Sequence, residues 1–414
     1  MSKMISNQQL MEIVKSAPTH AEGCKRLNAF VHEGLESKKF TADQVSLVGI
    51  GLATGALDPA DMAGSFRASA SESYDSSKTD HRRVFTESNP GLNTNAFQII
   101  TGALINDSVI AGYNNDEGLI GDQLVQVQSV RTKNTKIAGF TALAGPAEVK
   151  EGMPYEETAF SEKYVTTKET KKGRIVSLNE ELVLLDQTGE VRRRAMELGM
   201  QCRHERERTI VRGVIDADYS TNPVYRPLGT GETLYNTDGS NYNYIGSGNT
   251  TSTSFNAASA LQDHTDIDHI RRYRATEVKD DRIDGTQRAI TGLNSGLILL
   301  VPESKVGLAY NIWNAGTVRS DATNERTTFM NPVRSIVKSI LSSPILDEVS
   351  TDDYYLGNFI RQFLWTEIWP IQTFTQAADS EAAFDRDVVF RYKVRYFGGI
   401  TATDSIWVTK VDGA

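Results

Sequence analysis

Cysteine is almost missing from this chain: Cys24 and Cys202 are the only two among 414 residues. Too few and too far apart for a disulfide framework or a thiolate metal site, they make a reducing place of folding the default. A signal peptide is also missing, since Lys3, Asn7, Gln8 and Gln9 stand where an apolar core belongs. The longest apolar stretch, 47–57, is too short for a bilayer span, so a soluble chain without a membrane partner is expected. A basic excess is missing too: 44 Lys and Arg against 53 Asp and Glu leave a net charge of -9. That balance argues against a general polyanion binder and confines any nucleic-acid contact to a local patch.

Catalytic signatures are equally scarce. There is no glycine-rich phosphate loop with its lysine and hydroxyl residue and no Gly-x-Ser-x-Gly elbow. Gly229 and Gly231 read as a turn. His264, Asp266, Asp268 and His269 come nearest to a metal set, but on a helix the two histidines lie about 140° apart and do not share one ion. Asn249, Thr250 and Thr251 fit the glycosylation pattern without a secretory route. The acidic group 347–353 reads as a solvated loop rather than a cation site. With 39% hydrophobic residues the chain can build two or three cored domains. A folded structural protein without cofactor or metal is expected, and an enzyme is not.

What the chain does have is a charged stretch from Val149 to Arg212. From Tyr155 to Ser177 strand formers alternate with charge on both faces: Glu162, Tyr164, Thr166 and Lys168 on one, Lys163, Val165, Thr167 and Glu169 on the other. Neither face looks able to seal a core. Lys171, Lys172 and Gly173 read as a turn, and Arg174 to Ser177 as a return strand. An arm of about ten residues reaches roughly 33 Å. A lone hairpin is marginal in water, so one this polar is expected to lie on another molecule; a hairpin simply exposed at a sheet edge is the alternative.

Ser177 with Glu180 fits a capping box before Leu182, Leu184 and Leu185. Asp186 to Gly189 then break the run. Beyond them Val191, Ala195, Leu198 and Cys202 keep helical spacing over about 23 residues, roughly 35 Å. Arg192, Arg193, Arg194, Arg203, Arg206, Arg208 and Arg212 flank this stripe. Glu190, Glu197, Glu205 and Glu207 are interleaved with them, which favours an ion-paired interface helix over one that contacts nucleic acid. Both readings stand at this point.

The remainder alternates helices with mainly antiparallel strands. Residues 1–65 show helical spacing at Leu10, Ile13, Val14, Cys24, Leu27, Phe30 and Val31, and Thr41–Leu52 continues it. Residues 66–95 read as a polar linker, Phe97–Tyr113 as helix, and Gln123–Ile137 as strand-like. Residues 236–254 read as a loop and Phe255–Arg274 as a helix. Leu297–Val301 reads as a buried strand with Pro302 opening a helix behind it. Asn331 and Pro332 are expected to cap a helix carrying Val333, Ile336, Val337, Ile340 and Leu341. Aromatic strands fill Tyr354–Phe374, Phe390–Tyr396 alternates cleanly, and Gly398 with Gly399 reads as a turn. No βαβ series occurs, so the class is α+β.

In this order the segments Glu157–Leu185, Gly189–Gly213, Gly296–Trp313 and Arg386–Ile400 resemble the major capsid proteins of tailed double-stranded-DNA bacteriophages, specifically the Mu-like major head subunit group. The resemblance implies the tailed-phage major capsid fold, often called the Hong Kong ninety-seven fold. It implies an N-terminal helical segment and linker over 1–95, an N-arm continuation over 96–146 and an extended loop over 147–178 that lies across a neighbouring subunit. A peripheral domain would follow over 179–315 with a spine helix at 189–213, then an axial domain over 316–385 and a return strand over 386–414. The subunit-interface residues implied on the loop are Glu162, Lys163, Tyr164, Lys168, Lys171, Lys172 and Arg174. Those on the spine are Arg192, Arg193, Arg194, Leu198, Arg203 and Arg206. Partners implied are other copies in hexamers and pentamers, a portal protein at one vertex, packaged DNA bound without sequence specificity, and scaffold or decoration proteins. The place implied is the virion, after assembly in the bacterial cytoplasm. In some relatives an N-terminal piece is cleaved; it is expected to be kept here. Others join a loop lysine to a neighbour's asparagine; Lys163, Lys168, Lys171 and Lys172 match by position only, and no crosslink is expected. An encapsulin-like shell holding an enzyme cargo is the second reading, disfavoured by the long N-terminal piece.

Overall fold

The computed structural model describes residues 5, 7–37, 39–40, 45, 47–54, 90–115, 117–140, 148–149, 162–179, 190–236, 243–246, 260–281, 287–320, 327–376 and 388–413. Its helices in chain order begin with α1 (Asn7–Lys15), α2 (His20–Glu36), α3 (Leu47–Thr54), α4 (Pro90–Tyr113), α5 (Gly121–Leu124) and α6 (Glu190–Val214). They continue with α7 (His264–Glu277), α8 (Val306–Asn314), α9 (Val333–Ile336), α10 (Pro344–Asp347) and α11 (Phe359–Gln362). The strands begin with β1 (Gln126–Ser129), β2 (Lys136–Phe140), β3 (Glu162–Thr166), β4 (Thr170–Asn179) and β5 (Tyr244–Ile245). Next come β6 (Lys279–Asp281), β7 (Gln287–Ala289), β8 (Leu297–Pro302), β9 (Thr317–Ser320) and β10 (Thr327–Met330). The last are β11 (Val337–Ser343), β12 (Tyr354–Gly357), β13 (Phe363–Gln376), β14 (Val388–Ala402) and β15 (Val408–Val411). The chain divides into two compact units, one of residues 1–117, 171–204 and 371–396, the other of 118–170, 205–370 and 397–414.

In the first unit α1 buries Leu10 and Val14 against α2 and α3, and the hydroxyl of Thr19 caps α2 by accepting from the Glu22 amide. Helix α4 crosses the first half of α6 where both backbones are bare. A Cβ on Gly112 would stand 2.1 Å from the Met196 carbonyl oxygen, and one on Gly199 the same distance from that of Val109. On β14, Tyr392, Val394 and Tyr396 are buried while Lys393 is exposed, as the alternation predicted.

The second unit is built on a five-stranded sheet of order β11-β8-β12-β15-β5. Strand β8, buried at every position, runs parallel to β11 and antiparallel to β12. Ile267 and Ile270 of α7, Ala309 and Ile312 of α8 and Val333 of α9 pack on Leu297, Leu299 and Val301. Arg274 is wholly buried in this body; its guanidinium donates to the carbonyls of Leu293, Leu356 and Trp407 and to Thr409 Oγ1. Burial alone pulls it down to about 10. Shorter ladders pair β1 with β13, β2 with β3, β6 with β7 and β9 with β10.

Several sequence expectations need correction. Lys171, Lys172 and Gly173 do not turn the chain; they lie inside β4, which also takes in Ser177, so no helix is capped there. The expected 331–341 helix stops after Val333–Ile336, and Val337, Ile340 and Leu341 pass into β11, where pairing to β8 outweighs a helical spacing of apolar residues. Gly398 and Gly399 continue β14. They are needed for close approach, since a Cβ on Gly399 would stand 2.2 Å from the Lys168 carbonyl oxygen. Helix α7 starts at His264 behind a capping box of Asp263 and Asp266, so Leu261 to Asp263 are not helical and Asp266 caps rather than ligates. Asp268 pairs with Arg271 and Arg272. Within the range 316–385, β11 pairs with β8, and β12 with β8 and β15. Helix α4 already begins at Pro90. The readings at 55–89, 180–189 and 255–259 fall outside the described residues.

The Gly199 crossing is testable. On an exposed helix Gly→Ala gains about 1 kcal/mol, but Gly199→Ala puts a Cβ against a backbone oxygen. It is expected to lower stability by about 1–3 kcal/mol, read as a fall in Tm; a rise would contradict the crossing.

Candidate assembly elements

The hairpin is made by β2 and β3, from Lys136 opposite Thr166 to Phe140 opposite Glu162. The return strand expected at 174–177 is therefore not the partner of β3; the true one lies upstream, at the end of the 123–137 stretch already read as strand-like. Of the residues assigned to the loop, Glu162, Lys163 and Tyr164 lie on β3, Lys168 lies just beyond it, and Lys171, Lys172 and Arg174 lie on β4.

The base of this hairpin is clamped. Backbone bonds run from the Leu228 amide to the Tyr164 carbonyl at 2.8 Å and from the Thr166 amide to the Arg226 carbonyl at 3.1 Å. Tyr164 donates its hydroxyl to the Leu228 carbonyl at 3.4 Å, and the Lys136 ammonium stands 4.3 Å over its ring. Val165, Thr167 and Glu169 all point inward and are buried, against the expectation that neither face could seal a core. Glu169 is accommodated because its carboxylate accepts from the Asn134 amide at 2.8 Å, with the largely buried Arg226 guanidinium in its field. Asn134 sits at φ 57°, where asparagine is tolerated. Sequence alternation identified these two faces but not which was inward, because Arg226 is 57 positions away in the chain from Glu169 and carries no motif.

Helix α6 covers nearly all of the stretch 189–213 expected to be helical, and its arginines divide by burial. Arg193 and Arg194 are exposed, whereas Arg192, Arg203 and Arg206 lie on the inner side with Leu198, contrary to a purely apolar stripe. In the first unit Arg192 donates to the Val45 carbonyl, Arg203 stands 5.5 Å over the Tyr113 ring, and Arg194 pairs with Glu197. In the second unit Arg206 meets Asp122 at 2.8 Å and the Trp365 ring at 5.2 Å. Glu207 accepts from the Ile120 and Gly121 amides at 2.9 Å. Arg208 pairs with Glu348, and Arg212 with Asp218, which hydrogen bonding to Arg212 holds below the usual carboxylate range. The helix thus spends these cations on its own chain, which favours the ion-paired reading over contact with nucleic acid.

Past the helix Asp216 is buried at φ 52°, and its carboxylate accepts from the Leu234 amide at 2.8 Å. Burial pushes it up to about 6, opposed by the Leu234 and Val224 amides and the field of Lys410. Among the described residues no cluster of His, Cys, Asp and Glu could hold a metal ion. Among them also, no helix is long and apolar enough to cross a membrane.

A raised carboxyl favours the fold in its neutral form, so this contribution is complete below pH 3.8 and lost as pH rises through about 6. Asp216→Asn is expected to remove that slope. Melts at pH 5 and pH 8 should show the wild type losing about 1–1.5 kcal/mol more than the variant; parallel losses would contradict it.

Residues 163–411, more than half of the chain, match a family profile described as phage capsid protein. No curated protein sequence matches. Among solved structures, a virus-like particle from Pyrococcus furiosus overlaps 74% of this chain and 98% of its own, at 9% identity and a TM-score of 0.39. The capsid of cyanophage Pam1 overlaps 72% and 93% at 10% identity with a TM-score of 0.43. A native GTA particle capsid overlaps 69% and 87% at 12% identity with the same score. The assignment rests on the family profile: the chain belongs to the phage capsid protein family, whose members are structural proteins of the virion.

Proposed function

We propose that this chain assembles as hexamers and pentamers, with the hairpin of β2 and β3 as the extended loop that reaches over a neighbouring copy. The observation that supports this is the clamped hairpin base: a buried Val165, Thr167 and Glu169 fix the root of the β2–β3 pair. In such a shell each copy presents one surface and accepts another, and the rotation closes into rings. Helix α6 serves as the spine of a peripheral domain, and the body around the five-stranded sheet takes the axial place in each ring. Double-stranded DNA fills the shell without sequence recognition, consistent with a net charge of -9 that does not hold a polyanion tightly. A portal occupies one vertex, and scaffold or decoration proteins act on the same shell. The order of the four segments between 157 and 400 favours the Mu-like head subunit group within the family.

Expression of the chain alone followed by negative-stain electron microscopy tests this reading. Uniform closed particles are expected; soluble monomers that stay monomeric on concentration would contradict self-assembly by this chain.

A further inference from the structure

The turn that leads from β1 into β2 gathers cations. Arg131, Lys133 and Lys136 fall within six residues and are exposed, as is Lys168. The turn is tight: Thr135 Oγ1 donates to the Thr132 carbonyl at 2.8 Å, and Asn134 takes the left-handed conformation. Lys168 is brought to it by the ladder, since the Thr167 amide donates to the Thr135 carbonyl at 3.0 Å and Lys136 stands opposite Thr166. Opposite residues share a face, so Lys136 and Lys168 lie outward with Tyr164 while Thr167 and Glu169 point inward and are buried. Among the described residues none of the four cations forms an ion pair; Lys136 stands over the Tyr164 ring instead. The Glu169 carboxylate on the inward side already accepts from the Asn134 amide. Glu367, opposite Ser129, lies in the field of Arg206 and Asp122.

A chain of net charge -9 repels a polyanion except where its cations are grouped. Helix α6 answers Arg206, Arg208 and Arg212 with its own carboxylates, whereas this turn leaves four cations to solvent. Thr132, Asn134 and Thr135 add hydroxyl and amide groups of the kind that hydrogen-bond phosphate oxygens. A protein partner needs an apolar anchor, and among the described residues no large hydrophobic side chain is exposed within 129–136 or 166–169. We propose that Arg131, Lys133, Lys136 and Lys168 form a phosphate-binding patch through which the subunit touches the backbone of double-stranded DNA without reading its sequence. So few contacts give a weak, salt-sensitive hold, which suits a chain of this charge. The inference rests on the capsid reading and adds the surface that meets the genome.

The experiment titrates a short duplex of mixed sequence into the unassembled full-length chain between about 50 and 200 mM salt. Each phosphate contact contributes about 0.9 to the slope of log affinity against log salt. A variant carrying Arg131→Gln, Lys133→Gln, Lys136→Gln and Lys168→Gln is expected to have a slope shallower by about 3 to 4 and an affinity at the lowest salt at least about tenfold weaker. A control carrying Arg193→Gln, Arg194→Gln, Arg271→Gln and Arg272→Gln is expected to stay within roughly threefold of wild type, since distant exposed charges are screened. Equal losses in control and patch variant overturn the proposal, as does a wild-type chain that does not bind the duplex at the lowest salt. If the patch variant binds DNA as the wild type does but yields fewer sedimenting particles, the face meets protein and the proposal is overturned. Should that variant melt early because Lys136 has left the Tyr164 ring, Lys133→Gln with Lys168→Gln replaces it; the slope is then expected to fall by about 2, and an unchanged slope counts against the patch. A wild-type chain that binds DNA through these residues yet never forms particles would defeat the capsid reading and leave the patch standing.

Discussion

A charge removed from water must be met by partners, and helix α6 is governed by that constraint. Its inner side holds Arg192, Arg203, Arg206 and Glu207, all under a tenth exposed. A buried charge left without partners is strongly destabilising, so these groups specify where their neighbours must be. Val45 and Tyr113 answer Arg192 and Arg203 in one unit; Asp122, Trp365 and the amides before and within α5 answer Arg206 and Glu207 in the other. The same helix has Gly199 where α4 needs to come close. Neither unit could tolerate an arbitrary amphipathic helix in this place.

The hairpin follows the same rule at its root. Glu169 and Arg226 are out of water together, and Asn134 supplies an amide that closes one carboxylate oxygen. A root fixed in this way carries a charged arm without melting, which is what a shell subunit needs if the arm is to find a surface on another molecule.

Helix existence, the buried β8 and the alternating β14 were legible in the sequence because each has a strong period and a clear inner side. Val337, Ile340 and Leu341 misled because i, i+3, i+4 spacing is shared by a helix and by a bulged strand buried on both faces; the shift between Val337 and Ser339 is that bulge. Lys171 to Gly173 imitated a turn, yet the glycine is there to let Val394 and Arg395 approach. The extent of the long helix α6 was legible, but not the polarity of its inner side, since no local pattern says that an arginine will be answered by a carbonyl more than a hundred residues away.

The central claim is that a rooted hairpin joins one copy to the next. A cryo-electron-microscopy map of particles made from the full chain tests it most directly, by tracing the segment that follows Phe140. The account predicts density running onto a neighbouring subunit. Density that returns to the subunit it left would contradict it.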